Sequence, residues 1–404
     1  MTITDTAPHT TSPVSERERL VTAARALGPL LRDNAARAEA DRRVPEENIA
    51  ALREAGLFDI TKPARFGGAE EDFRTFLEVS LELGRSCGST AWVTTLSNVT
   101  SFFVGAYPES VQQDVLGADP RIATCGVFTP TSTSVRVDGG YRVTGRWGFA
   151  SASHHASWAN VGIPLTNTDG EAVGAASAWI PMTDLSIDDT WYVAGMSGSG
   201  SDTLVADDVF VPDARILSVT DMMEGRTASE FQDETLYHSS LVPVLALVLV
   251  GPVLGMAEGA YDAVLSTLQK NKPIAYSFYQ RSIDAPSTQL NMAAARSLID
   301  QARLLAFRGA DEIDAAAAAG RQMPVVERAR ARMDAAQAAN LCREAVELLL
   351  NVSGAGSFAQ VNPLQRIWRD LETSSRHAFI NLNINQEIYG RALLGIDEQV
   401  SPFV

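Results

Sequence analysis

The spacing of apolar positions divides the chain into three zones. From Ser15 to about Gly117 the period is helical: SERERLVTAARALGPLLRDNAARAEADRR is rich in Ala, Leu and Arg, with apolar residues three and four apart. VPEENIAALREAGLFD then places Pro45 and two glutamates where a helix start favours them, and Gly56 where a helix would end. From about Asp119 to Ile216 the residues are mostly Thr, Ser, Val, Gly and Trp. SVRVDGGYRVTG alternates around Asp138-Gly139-Gly140, which predicts a hairpin, and AVGAASAWIP and DTLVADDVFVP predict further short strands. From about Asp221 the helical period returns in long segments, 285–319, 324–352 and 362–393, with Pro324 and Pro363 at two of the starts.

Runs of one element followed by runs of another predict an α+β protein, mainly α, and argue against a doubly wound sheet. We expect a disordered arm over 1–14, an N-terminal helical domain over 15–118, a middle antiparallel β domain over 119–218, and an antiparallel helical bundle over 219–404. At 404 residues the chain exceeds what one core usually supports. The most apolar run, Leu241 to Met256, holds two prolines and two glycines and falls short of the ~20 residues needed to span a bilayer. It predicts a buried helix, and no membrane association is expected.

A formal net charge of −16 argues against a nucleic-acid binder, which needs surplus Lys and Arg on one face. Cys87, Cys125 and Cys342 are far apart and odd in number, so neither a disulfide framework nor a cysteine zinc site is expected. A reducing, cytoplasmic setting is the simple reading, and the polar N-terminus lacks the apolar core of a signal peptide. No GxGxxG follows a strand and no GxxxxGK[ST] exists, so there is no intrinsic NAD signature.

Three stretches carry candidate chemistry. GMSGSGSD, Gly195 to Asp202, reads either as a bulged turn or as backbone passing close to a flat or anionic ligand. GRWGFASASHHASWANVG, Gly145 to Gly162, packs Trp147, Phe149 and Trp158 around small residues; it suits strand core, or an aromatic wall against a planar ring with Ser151 at its edge. His154 and His155 are adjacent and would face opposite ways on a strand, so no metal site is expected. RIWRDLETSSRHAFINLNINQEIYG spaces Arg366, Asp370, Thr373 and His377 at i, i+4, i+7 and i+11, which on a continuous helix is one face. Arg366 and Asp370 would pair there, as a structural or a catalytic pair, and His377 is a candidate general base.

Taken together, RRVPEENIAALREAGLFDITKPARFGG, CGSTAW, GVFTP, VDGGYRVTGRWGFAS, GMSGSGSDTLVADDVFVP and SGAGSFAQVNPLQRIWRD resemble the acyl-CoA dehydrogenase superfamily from roughly Arg43 to Gly395. The resemblance implies a helical domain, a β-barrel-like domain and a C-terminal four-helix bundle. It also implies a homodimer or homotetramer with flavin between barrel and bundle. Dehydrogenases of this family carry a catalytic glutamate, usually in a Tyr-Glu-Gly context after the Arg-Asp motif. Here Arg369-Asp370 is followed by LETSSRHAFINLN, with His377 near the expected place. The chain is more similar to the two-component flavin monooxygenases of the same fold, which accept reduced flavin from a separate reductase and use oxygen.

That resemblance implies FADH2 or FMNH2 and O2 as cofactors, and hydroxylation of an aromatic or heteroaromatic small molecule through a C4a-hydroperoxyflavin. By position, Trp147, Phe149 and Ser151 would line the isoalloxazine, with Ser151 near flavin N5. Phe128 and Thr129 would meet the ring edge, Ser197 and Ser201 would approach the flavin or substrate, and Arg369 would join the cofactor set. From a partner subunit, Arg281, Gly354 and Gly356 would meet the phosphate end. His377 would act as base toward the substrate or position the activated oxygen, with Trp92, Asn98, Tyr237 and His238 as further substrate-side candidates. The rivals are a dehydrogenase with a displaced base, for which Glu372 and Glu387 are nearby; an N-oxygenase of the nitrososynthase kind; and a scaffold that has lost flavin.

Overall fold

The Ser15 hydroxyl accepts the Glu18 N–H while the Glu18 carboxylate reaches back to the Ser15 N–H, and this reciprocal cap starts the first helix. The computed structural model describes residues 14–117 and 123–404. The arm expected over 1–14 falls, apart from Val14, outside the described residues, as does the 118/119 boundary. Among the described residues five α-helices come first: α1 (Glu16–Asp41), α2 (Glu46–Glu54), α3 (Phe73–Gly84), α4 (Gly88–Val104) and α5 (Glu109–Leu116). Every residue of α4 except Leu96 is buried, although many are polar. Its threonines turn back on the helix, Thr94 donating to the Thr90 carbonyl and Thr100 to that of Leu96, so their hydroxyls are satisfied without water.

Eight strands follow: β1 (Ala123–Val127), β2 (Ser132–Val137), β3 (Gly140–Trp147), β4 (Ala156–Thr166), β5 (Ala172–Pro181), β6 (Ser186–Asp188), β7 (Thr203–Pro212) and β8 (Ile216–Ser218). They form two four-stranded sheets, ordered β1-β4-β5-β8 and β2-β3-β7-β6. The hairpin expected at Asp138-Gly139 is present, Val137 pairing with Gly140 and Gly139 adopting φ 74°. The sheets are not wholly antiparallel as expected, because β1 and β4 run parallel. Between them the chain detours through the β2–β3 hairpin in the other sheet, and such a long crossover is what a parallel pair needs.

The helical part comprises α6 (Val219–Met223), α7 (Leu241–Leu247), α8 (Val250–Leu268), α9 (Pro286–Ala318), α10 (Val325–Ser353), α11 (Pro363–Ser374) and α12 (Leu382–Leu394). The apolar run forms α7 and the start of α8, and it is core: the most apolar stretch of Leu241–Leu268 is completely buried. Helix α8 lies almost backbone to backbone on α3. A side chain at Gly255 would meet the Leu81 carbonyl at 2.3 Å and the Gly84 Cα at 2.8 Å.

One expected helix is two. The segment 362–393 breaks after Ser374, and His377 sits between α11 and α12 and not on a continuous face with Arg366 and Asp370. Local hydrogen bonding explains the break. Thr373 and Ser374 donate to the carbonyls of Arg369 and Asp370, while Asn381 accepts the Ile384 N–H and caps a new helix.

Candidate active site

Four elements converge where the helical layers meet the β domain: α4, the turn after β3, the glycine-rich turn before β7, and the turn between α11 and α12. The Trp92 indole N–H, from α4, donates to Ser151 Oγ at 3.1 Å. Ser151 Oγ lies 2.6 Å from Ser201 Oγ, which lies 2.7 Å from Ser199 Oγ. Ser199 in turn donates to the Met196 carbonyl at 2.7 Å. Trp92 also packs against the His377 ring, with centroids 6.1 Å apart and the planes tilted by 57°. One indole therefore joins Ser151 to His377.

Both β-domain turns are held tightly. Phe149, Ala152, Met196 and Gly200 take left-handed φ values of 62°, 70°, 60° and 53°. The three non-glycine residues are strained there, so surrounding bonds must hold them. Asp202 supplies several. Its Oδ1 accepts the N–H groups of Thr190 and Trp191, its Oδ2 lies 2.7 Å from His154 Nε2, and its carbonyl accepts the Ala150 N–H. Burial pushes the Asp202 carboxyl upward, but the bonds from His154, Thr190 and Trp191 outweigh it and hold the pKa below the usual value. The glycine-rich turn rests directly on α11, where a side chain at Gly195 would meet the Arg369 carbonyl at 2.0 Å.

Two titratable groups are displaced by burial. The Asp370 carboxyl is pushed up to about 6, partly offset by the Met196 N–H it accepts and by the charge of Arg366. The expected Arg366–Asp370 ion pair is absent among the described residues, and Asp370 serves the loop instead. His377 is lowered to about 4 by the protein packed around it. The residue as a whole is nevertheless exposed, so water reaches it and weakens that depression. Its Nδ1 accepts the Phe379 N–H at 3.3 Å, which assigns the proton of the neutral ring to Nε2.

These groups fit a flat, hydrogen-bonding ring system. Phe149 holds its ring 75% exposed at the expense of a strained backbone, and it is steadied edge-on by Trp191. Ser151 follows two residues later. A large apolar ring held out beside a buried hydroxyl is the surface an isoalloxazine would cover.

Known proteins give the same picture. The model "Acyl-CoA dehydrogenase, N-terminal domain" matches residues 16–113, and "Acyl-CoA dehydrogenase, C-terminal domain" matches residues 247–382. The oxygenase subunit HsaA of a flavin-dependent monooxygenase from Rhodococcus jostii (strain RHA1) is 35% identical over 374 residues, 92% of this chain and 97% of that protein. The chain belongs to the acyl-CoA dehydrogenase family. Within the family, the oxygenase component of the FADH(2)-dependent resorcinol hydroxylase of Rhizobium sp. (strain MTP-10005) is 32% identical, covering 94% of this chain and 95% of that one. The structure of XiaF from Streptomyces sp. in complex with FADH2 and glycerol superposes with a TM-score of 0.92 at 33% identity, covering 96% of this chain and 98% of the other.

Several residues expected at the flavin or substrate of this family member are engaged elsewhere. Trp147 is completely buried between the sheets, its indole N–H on the Gly162 carbonyl at 2.8 Å, so it is barrel core and not ring wall. Asn98 is buried, accepts the Ile60 N–H and donates to the carbonyls of Leu57 and Thr94, which leaves no amide hydrogen for a substrate. Tyr237 is buried with its hydroxyl on the Thr61 carbonyl, and His238 Nε2 lies against the Gln232 carbonyl. Ser197 donates to the Val193 carbonyl. Arg369 is an inter-layer clamp, bonded to Glu39, Gln365 and the Ala194 carbonyl.

Phe128 packs edge-on to Phe103 and is half-buried, whereas Thr129 is exposed. Arg281 pairs with Asp284 at the surface, and Gly354 and Gly356 are exposed with open space around them. Sequence reading did not single out Ser199 or the Met196 carbonyl. Their signal was the alternation of hydroxyls in SGSGS, which has meaning only once the turn is folded.

Proposed function

We propose that this chain is the oxygenase component of a two-component monooxygenase, which takes reduced flavin from a separate reductase and uses O2 to hydroxylate an aromatic small molecule. The observation that carries this reading is the Ser151–Trp92–His377 arrangement beside the open Phe149 ring, in a chain 35% identical to an oxygenase subunit. Reduced flavin, when bound, supplies the two electrons that activate oxygen. Phe149 provides an apolar platform for its ring system, and Ser151 marks the polar edge.

We infer for His377 a part different from the general base expected of it. The protein packed around the imidazole lowers its pKa and so weakens it as a base, and Nδ1 is already occupied by the Phe379 N–H. His377 instead holds its proton at Nε2 and donates a hydrogen bond to an oxygen of the substrate, favouring the phenolate-like form. The dehydrogenase alternative loses its two candidate bases. Glu372 is bound by Arg343 and Arg376, and Glu387 by Arg391.

A homodimer or homotetramer is supported by the segment between α8 and α9, where Tyr276 and Phe278 are fully exposed beside Arg281. Such aromatic surface is characteristic of a contact with a second copy. The deciding experiment is aerobic turnover with chemically reduced flavin and a panel of phenols and indoles. Hydroxylated product in excess of peroxide supports the proposal. Anaerobic reduction of the bound flavin by an acyl-CoA would replace it with a dehydrogenase.

A further inference from the structure

Three oxygen–oxygen contacts follow one another at the junction: Ser151 Oγ to Ser201 Oγ at 2.6 Å, Ser201 Oγ to Ser199 Oγ at 2.7 Å, and Ser199 Oγ to the Met196 carbonyl at 2.7 Å. Two oxygens that close attract only with a hydrogen between them. The carbonyl brings none, and each hydroxyl brings one. The count closes in a single way: Ser199 donates to Met196, Ser201 to Ser199, and Ser151 to Ser201. At the other end the indole of Trp92, a donor only, occupies one of the two lone pairs on Ser151. Ser151 is left with no hydrogen and one lone pair to offer.

The order is protected. Trp92, Ser151, Ser199 and Ser201 are all buried, so water does not compete for their hydrogens. The acceptor end is fixed as well. Met196 donates its N–H to Asp370, and its carbonyl also receives the Trp191 indole N–H.

We propose that Trp92, Ser199 and Ser201 are positioning residues that hold Ser151 as an obligate hydrogen-bond acceptor, which selects a ligand nitrogen that carries a hydrogen over the same nitrogen without one. This rests on the proposed function, and on the position near flavin N5 that the family resemblance implies for Ser151. Reduced flavin carries a hydrogen at N5, whereas oxidised flavin presents a bare lone pair. The serine chain thus favours the form a reductase delivers and disfavours the spent form, which must leave before the next turnover.

The test is equilibrium binding, independent of turnover. Dissociation constants for oxidised flavin in air and for reduced flavin under anaerobic conditions are measured for wild type, Ser201→Ala, Ser201→Thr, Ser199→Ala and Ser151→Ala. Removing the Ser201 hydroxyl strands the Ser151 hydrogen, which is then free to donate to N5. The ratio of the two constants should move roughly three- to tenfold toward the oxidised form in Ser201→Ala. Ser199→Ala should move it the same way by less, and Ser201→Thr should restore it. Ser201→Ala and Ser199→Ala that bind both forms with the wild-type ratio would overturn the proposal while leaving the flavin site intact. A wild-type ratio in Ser151→Ala, or no flavin binding by the wild type, would instead remove the placement of Ser151 at N5, and the proposal with it.

Discussion

The Met196 N–H donates to the Asp370 carboxylate at 2.5 Å, and through this bond α11 holds the turn that carries Ser199 and Ser201. The carboxyl is buried, so ionising it inside the fold is unfavourable and its pKa rises to about 6 from an ordinary value of 3.8.

This has a signed consequence for stability. Between about pH 4 and 6 the folded carboxyl keeps its proton while the unfolded one has lost it, so Asp370 lowers stability as pH rises through that window. His155, lowered to about 4 chiefly by burial, acts oppositely: its contribution is full above about pH 6.5 and is lost as pH falls toward 4. Asp370→Asn keeps an acceptor for Met196 but removes the falling component. Its stability should therefore climb more steeply from pH 4 to 6.5, and exceed that of wild type at pH 7 by up to about 3 kcal/mol. Urea unfolding at both pH values checks this, and an equal difference at pH 4 and pH 7 contradicts it.

The sequence carried the fold in its periodicities. The hairpin at Asp138-Gly139, the long helices near 285–319 and 324–352, and the buried apolar run were all legible because each is decided by local pattern. The parallel β1–β4 pair was not, since it depends on a crossover between sheets. The break before His377 was obscured by Ala, Leu and Ile spacing that continues through it, although three hydroxyl residues in succession, Thr373, Ser374 and Ser375, are what ends α11. At the site, Ser151 stands where the motif places it, in the turn after β3 and bonded to Trp92. Other residues were misread where side-chain direction decides, as at Trp147 and Asn98, whose polar atoms point into the core.

His377 should titrate far below the usual histidine range. If it donates from Nε2 as a neutral ring, activity stays level from pH 8 to about pH 5, and any acid limb it causes lies near 4. His377→Gln, which retains an N–H donor, should keep much of the activity. His377→Ala should lose about 10- to 100-fold, the range for a hydrogen bond to a charged oxygen. An acid limb at pH 6.5 that vanishes in both variants would restore the general base.

Trp92 combines a packing and a polar duty, and two substitutions separate them. Trp92→Phe keeps a ring against His377 and loses only the donor to Ser151, which should cost about 1 kcal/mol. Trp92→Ala also opens a cavity in α4 and should cost about 3–5 kcal/mol. Equal losses in thermal or urea unfolding would mean that the hydrogen bond, and not the ring, supplies the stability.

The turn bearing His377 is also tied to the last residues of the sequence. Arg332 is buried on α10 and its Nε donates to Asn385 Oδ1 at 2.8 Å. Its Nη1 donates to Ser401 Oγ at 3.2 Å and to the Phe403 carbonyl. Asn385 passes the link on by donating to the Phe379 carbonyl at 2.9 Å, and the Phe379 N–H is the group that fixes the His377 ring. Phe379 meanwhile packs between Phe403 and the Arg332 guanidinium. Burial lowers the Arg332 pKa to about 10, and among the described residues its hydrogen bonds go to neutral acceptors. Arg332→Met fills much of the same volume but releases the tail and leaves Asn385 Oδ1 unpaired. The expected result is rapid proteolytic trimming after about residue 395, with substrate affinity reduced several-fold and flavin binding unchanged, because the proposed flavin residues Ser151 and Phe149 bond to Trp92, Ser201 and Trp191 and not to this network. A tail that stays protected in Arg332→Met, or flavin binding lost together with substrate binding, would break the link between the tail and His377.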